Sequence, residues 1–304
     1  MSNHFTRLAA RMHVIPPLRR CAFLAAGLLC LPAAAQAHGI LGDRFFPATI
    51  ASDDPFAADE LALPTITSFG HETDYEVEYS KSIFRGFALG IGAGYVDARP
   101  PGEQASAGWD NLEISPSLEL FRDPGHEIIL TGGLDWEIGG SGSQSVAGRS
   151  STFTPTFKYG KGFGDLPDSM AYLKPIAVTG TVGYALSGRN GEANSIEWAG
   201  AIEYSFLYLQ NNVKDQGFSN FTAHLTPIVE YNFSSPVSAG GGGTTGTINP
   251  GLIWSGQVEQ FAVEAMIPVN RASGSGVGVI AQLHFYIDDM FPQSLGRPIF
   301  GGPR

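Results

Sequence analysis

The sequence predicts an all-β protein, a transmembrane antiparallel β-barrel of about twelve strands, and three observations carry that prediction. Apolar and polar residues alternate in one segment after another between Leu61 and Ile287, short connections alternate with longer ones, and a leader of secretory type precedes them all. Ile196, Trp198, Gly200, Ile202, Tyr204, Phe206 and Tyr208 show the pattern, with Glu197, Ala199, Ala201, Glu203 and Ser205 in between. A strand of this kind has a different environment on each face. A soluble two-sheet sandwich also alternates, but it would not gather so many carboxylates on one face.

Residues 1–37 read as the leader. Arg7, Arg11, Arg19 and Arg20 form a basic head, an apolar run from Cys21 to Ala35 follows, and Ala35-Gln36-Ala37 is a small-x-small cleavage site. The mature chain is expected to begin at His38. The apolar run is too short to span a bilayer as a helix, which needs about 20 residues. Both cysteines, Cys21 and Cys30, lie in the leader, which leaves the mature chain without a disulfide or thiolate metal site. The net charge of −11 understates the acidity of the mature chain, because the leader carries four arginines and no acid, and nucleic acid is excluded as a partner. With 39 Gly, 20 Phe, 10 Tyr and 4 Trp but only 15% charged residues, the composition suits a glycine-rich, aromatic-rich sheet.

Residues 38–60 contain Arg44, Phe45, Phe46, Asp53, Asp54, Asp59 and Glu60. They either thread into the lumen as a plug, with Arg44 meeting the carboxylates there, or hang in the periplasm. The barrel follows over 61–287. A first strand is expected at 61–69, weakened by Pro64, and a second at 74–83. Short turns are expected at 84–86 and 122–125, long loops at 97–108 and 139–150, a moderate turn at 160–169 and a loop at 187–195. A rather long turn is expected at 210–220, the longest loop at 234–246 with its four glycines, and the last hairpin turns at 255–257 and 270–276. An even strand number puts both ends of the barrel on one side, which leaves 288–304 as a periplasmic tail. Pro116, Pro155, Pro175, Pro227 and Pro250 are expected at strand ends or bulges, since each removes a ladder donor.

Strand parity sorts the side chains. Val77, Tyr79, Leu89, Ile91, Leu118, Trp136, Phe157, Val182, Val229, Phe261, Val263 and Val279 are among those predicted to face lipid, with aromatics gathering at strand ends. The opposite face carries Glu76, Glu78, Glu113, Glu119, Asp135, Glu137, Glu197, Glu203, Glu230 and Glu264, with Lys158, His224 and His284 as basic companions. Ten carboxylates buried dry would be prohibitive, so a hydrated, cation-attracting lumen is predicted. Ala88, Gly90, Gly92, Gly94, Ala199, Ala201, Gly251, Ala262 and Gly278 widen it, though a twelve-strand barrel leaves only a narrow pore.

Catalytic signals are weak. A terminal His38 could chelate copper but has no placed second histidine, and no cofactor motif is present. His71 and His126 fall at strand ends, while His224 and His284 face the lumen without a serine set for either. The repeats Gly90-x-Gly92-x-Gly94 and Gly160-x-Gly162-x-Gly164 have no following helix, so they are sheet and turn glycines, not phosphate loops.

The strand pattern over 61–287 and the run Gly42-Asp43-Arg44-Phe45-Phe46-Pro47 resemble the outer-membrane barrels of the phenol-degradation-pathway transporter-like family. The resemblance implies diffusion or uptake of small, hydrophobic compounds. The chain departs from common barrels in running on past Phe285 and Tyr286 through Asp288, Phe291, Pro298 and Phe300 to Arg304. Three functions follow in order of preference: a passive outer-membrane channel for small molecules or ions, with an acidic lumen favouring cations or a plugged lumen for hydrophobic compounds; a non-conducting barrel that anchors or binds a partner; and an outer-membrane lipid hydrolase. The expected partners are the lipid bilayer, the solute and the barrel-assembly machinery.

Overall fold

A computed structural model describes residues 39–188, 193–238 and 241–301. The expected leader, its cleavage site and His38 lie outside the described residues, as does the end of the tail with Arg304. A small hairpin, β1 (Ile40–Leu41) and β2 (Arg44–Phe45), comes first. One sheet then takes β3 (Glu60–Phe69), β4 (Glu72–Phe84), β5 (Phe87–Ala98), β6 (Ser106–Trp109), β7 (Leu112–Asp123), β8 (Ile128–Ile138) and β9 (Thr152–Gly162). It continues with β10 (Ile176–Ser187), β11 (Ser195–Tyr204), β12 (Leu225–Pro236), β13 (Thr245–Ser255), β14 (Glu259–Pro268) and β15 (Gly278–Tyr286). Neighbours pair antiparallel in chain order, and β15 returns to β3 with Val279 opposite Ser68 and Tyr286 opposite Glu60, which closes the sheet. The short β6 folds back on the far end of β5 and leads into β7, so twelve strands go round the barrel.

The parity prediction can be read off exposure. Ile91, Leu118, Phe157, Val182, Val229, Phe261, Val263 and Val279 are exposed, while Ala62, Ala88, Thr131, Lys158, Ala199, Ala201 and Ala262 are buried. Rings gather in two bands. Trp136 stacks on Phe153 at 5.6 Å and Trp198 on Phe233 at 4.3 Å near one rim, and Phe84 stacks on Phe87 at 4.8 Å near the other. A closed ladder with an apolar exterior, girdled by aromatics, can cross a bilayer because no backbone group is left to the hydrocarbon. No helix among the described residues is long and apolar enough to do so.

The prolines correct one expectation. Pro175 precedes β10 and Pro227 lies near the start of β12, but Pro116, Pro155 and Pro250 sit inside β7, β9 and β13. Each is paired on one side only, opposite Leu89, Leu134 and Val229 respectively. Toward the other neighbour the ladder lapses for two positions and resumes in the same register. A residue's N–H and C=O point to the same neighbouring strand, so a missing donor opens one side without shifting the other. Pro64 does coincide with a bulge, as the register shifts between Ala62 and Thr65 against β4 and between Gln282 and His284 against β15.

The connections correct another. At the rim carrying both ends of the barrel, 85–86, 124–127 and 256–258 are tight, but 163–175 and 205–224 are long and partly helical. The stretch at 205–224, not 234–246, is the longest connection, and it buries Tyr208 and Leu209, with the Tyr208 ring against Arg44 of the N-terminal hairpin.

The outward face yields a prediction. Val263 lies midway along β14 and is exposed, so Val263→Arg should destabilise the bilayer-folded protein by about 2–4 kcal/mol in a urea titration. The same change at Val277, just outside β15, should cost about 0–1 kcal/mol.

Candidate functional site

The site is the barrel interior, and residues 46–59 occupy much of it. Their entry is fixed by Arg44, which is fully buried. Its Nε donates to Glu127 Oε2 at 2.8 Å, its Nη1 to the Pro175 carbonyl at 3.0 Å and its Nη2 to the Lys174 carbonyl. The guanidinium lies 4.3 Å from the Tyr208 ring centroid and 5.9 Å from that of Phe46. Gly162 and Gly164 make the room, since a Cβ at Gly162 would collide with Arg44 and Glu127, and one at Gly164 with Glu127 and Tyr208. Arg44 therefore pairs directly with a carboxylate at the rim that was not among the lumen acids expected for it, while Glu203 of that set lies within its electrostatic reach. Gly160-x-Gly162-x-Gly164 are sheet and turn glycines as read, and two of them shape this socket.

Beyond the socket Phe46 packs with Leu41, Phe56, Ile129 and Ala177. The Gln260 amide then serves Ala48 as a strand would, accepting from its N–H at 3.1 Å and donating to its carbonyl at 2.7 Å, while Tyr286 Oη donates to the same amide oxygen at 2.6 Å. At the turn of the segment the Glu230 carboxylate accepts the N–H groups of Ile50 at 2.7 Å, Ala51 at 3.0 Å and Ser52 at 2.7 Å, and the Ser52 hydroxyl at 2.9 Å. Ile50 packs into an apolar patch of Ala201, Ile228, Ile253, Ala262, Met266 and Ile280.

The return leg is held as closely. Asp53 pairs with Lys158 at 3.1 Å, the Pro55 carbonyl accepts from Thr131, Ala57 N–H donates to Glu119 at 3.3 Å, and Asp59 pairs with Lys81 at 2.5 Å. Apart from Lys81 at the seam, these partners come from inward positions on β7, β8, β9, β12 and β14, and only a chain inside the ring can reach all of them. Asp54 accepts the Phe56 N–H at 2.8 Å, and its carboxyl is pushed up to about 8, by burial first and then by the charge of Glu60, against the pull of that N–H, His284 and Lys158.

The remaining acids fall into groups. Glu78 faces Gly92, Gly92 faces Glu113 and Glu113 faces Glu137, a row across β4, β5, β7 and β8. Asp135 and Asp53 lie within electrostatic reach of Glu113 in that row. Glu137 also accepts from Asn111 at 2.7 Å, and Glu197 from Ser195 and, at 2.9 Å, from Ser234. Glu76, Glu203, Glu230 and Glu264 are closed off from solvent, with Glu203 and Glu264 beside Glu230, so the interior at this level is filled and not the open hydrated lumen expected from the acids alone. A cavity of about 110 Å³ runs alongside the segment, bounded on the barrel side by Glu60, Glu78, Ser80, Gly90, Ser115, Ser117, Lys158 and His284.

The two histidines part company. His284 points inward, its Nε2 2.9 Å from Glu60 and its ring against Tyr286. His224 does not face the lumen. It ends the helical turn Asn220–Ala223, its Nδ1 is 2.7 Å from the Asn220 carbonyl, and its ring lies by Trp254 in the outer aromatic band. Sequence reading also passed over Glu127, Gln260 and Lys81, which hold the segment. Glu127 offered one cue, in following the turn residues Asp123-Pro124-Gly125.

Arg44→Ala leaves Glu127 buried without its partner, a loss typically of about 3–5 kcal/mol, and should sharply raise amide hydrogen exchange across 46–58. Gly162→Ala should act in the same direction by crowding the same pair. The pH dependence has a definite sign. Undocked, the Asp54 carboxyl ionises near 3.8, whereas docked it stays neutral until about 8. The Asp54 contribution to docking is thus full below about pH 4, weakens as pH rises and is lost once pH passes about 8, and Asp54→Asn should remove that part of the exchange-versus-pH profile.

No protein-family model matches the chain, so the resemblance of residues 42–47 to the phenol-degradation-pathway transporter-like barrels gains no support from one, and no curated protein matches it either. Among solved structures it is similar to a KdgM porin, at 13% identity and a TM-score of 0.47 over 74% of this chain and 98% of that one. It is similar to a NanC porin at 10% identity and a TM-score of 0.47, over 75% and 98%, and to LpxR from Salmonella typhimurium at 9% and 0.43, over 75% and 99%. Likeness at this level adds nothing to what the strand order already establishes, an antiparallel barrel of the outer-membrane type.

Proposed function

We propose that the protein is an outer-membrane duct that passes small solutes passively and prefers cations, with residues 46–59 as its constriction. The observation that carries the reading is the acidic row of Glu78, Glu113 and Glu137, with Asp135 and Asp53, of which Glu78 and Asp53 line the cavity beside the inserted segment. A ring of carboxylates in a partly dehydrated passage concentrates cations and repels anions. The polar lining of that space favours ions and hydrophilic solutes over the hydrophobic compounds that the family resemblance implies. Hydrolysis stands outside the proposal, because His224 lies in the outer band and His284 is engaged with Glu60 and Tyr286.

The refolded barrel, checked by heat-dependent gel mobility, should give a small cation-selective conductance in a planar bilayer under a salt gradient. Removing residues 46–58 should raise the conductance severalfold, by about the factor expected when a narrow barrel is left unfilled. Converting Glu78, Glu113 and Glu137 together to Gln should move the reversal potential toward zero. Silence from the folded deletion variant would discard the duct and favour a non-conducting anchor.

A further inference from the structure

The tail beyond β15 wraps the outside of the barrel at its seam. β3 starts late, since its pairing with β4 ends with Glu60 opposite Ser80, and the last residues of β4 run on past it. An unpaired strand edge at a membrane boundary is costly, and here the edge is covered. Asp59 Oδ1 accepts the Ser82 N–H at 2.9 Å, Ile299 N–H donates to the Ser82 carbonyl at 3.1 Å and Phe300 N–H to the Ile83 carbonyl at 2.7 Å. The tail also closes over Lys81, whose Nζ, besides pairing with Asp59, donates to the carbonyls of Leu295 and Arg297, each at 2.7 Å.

This docking turns apolar side chains outward. Phe291, Leu295, Ile299 and Phe300 are all exposed, Phe300 at 66%, and so is Arg297. The backbone of Phe300 is bonded next to Phe84, which the register shift between Ser82 and Phe84 turns outward to stack on Phe87. Phe84 and Phe87 belong to the aromatic band at the edge of the lipid-facing belt. The exposed tail is therefore continuous with a surface that already meets lipid.

We propose that residues 291–301 are an interfacial anchor that lies in the headgroup–acyl boundary of the leaflet at this rim. Apolar side chains enter that boundary, and the exposed Arg297 guanidinium is placed to meet lipid phosphates. Seating there would remove four large apolar groups from water and shield the seam from competing strands.

The test is a nitroxide label at Phe300→Cys in the full chain, with Cys21 and Cys30 changed to Ser, folded into phosphatidylethanolamine–phosphatidylglycerol vesicles. Accessibility to oxygen and to a water-soluble nickel complex is compared with labels at Val182→Cys on the belt and at Gln216→Cys in the exposed connection at the same rim. The label at 300 should fall between the two, as should a second label at Leu295→Cys, which covers the case that Phe300→Cys disturbs its own docking. A nickel accessibility equal to that at 216 for both labels would overturn the proposal. Shielding of both labels from oxygen and nickel alike would also overturn it, since that is the signature of a protein partner or a second copy on the patch.

Discussion

A carboxylate aimed into a barrel this narrow has to find donors within the wall or in whatever fills the space, and Glu230 finds four in residues 50–52. Charge-assisted hydrogen bonds of this kind are worth about 1.5–3 kcal/mol each, whereas an unanswered buried charge costs several kcal/mol. The inserted segment thus satisfies the wall as much as the wall holds the segment. Its entry is set by a second buried charge, Arg44, and its exit by Asp59 with Lys81, so one end is tied to the connections before β8 and β10, the turn to β12 and the other end to β4.

The closure of the barrel depends on the same stretch of chain. Asp59 reaches Ser82 N–H on the overhanging edge of β4, and its own carbonyl accepts the Ile287 N–H at 2.9 Å where the tail begins. One residue therefore links the segment inside, the strand that closes the ring and the tail outside. A disturbance of the seam and a disturbance of the lumen are expected to travel together for that reason.

The wall was legible in the sequence because its signal is local: a period of two puts Val182 and Val263 on one face and Glu230 and Glu264 on the other, whatever lies inside. The filling was not, because its recognition is long-range and largely by backbone. The amides of Ile50 and Ala51 that bind Glu230 would be there with other side chains, so no residue marks them. Nothing near Arg44 names Glu127 as its partner, and the interior prolines cannot be placed without knowing which neighbour each strand can spare. His224 was readable in principle, since Ser219 caps the turn by accepting the Thr222 N–H at 3.1 Å, a helix start that interrupts strand parity just before it.

The central claim, that residues 46–59 fill the lumen, is tested most directly by the chemical accessibility of Ala51, which is 5% exposed at the turn under Glu230. In the folded full chain with Cys21 and Cys30 changed to Ser, Ala51→Cys should react with a charged methanethiosulfonate reagent slower than Gln216→Cys by about two orders of magnitude, the protection expected of a site that must open before it reacts. Equal rates at the two positions would mean that the segment lies in open water and that the lumen is unfilled.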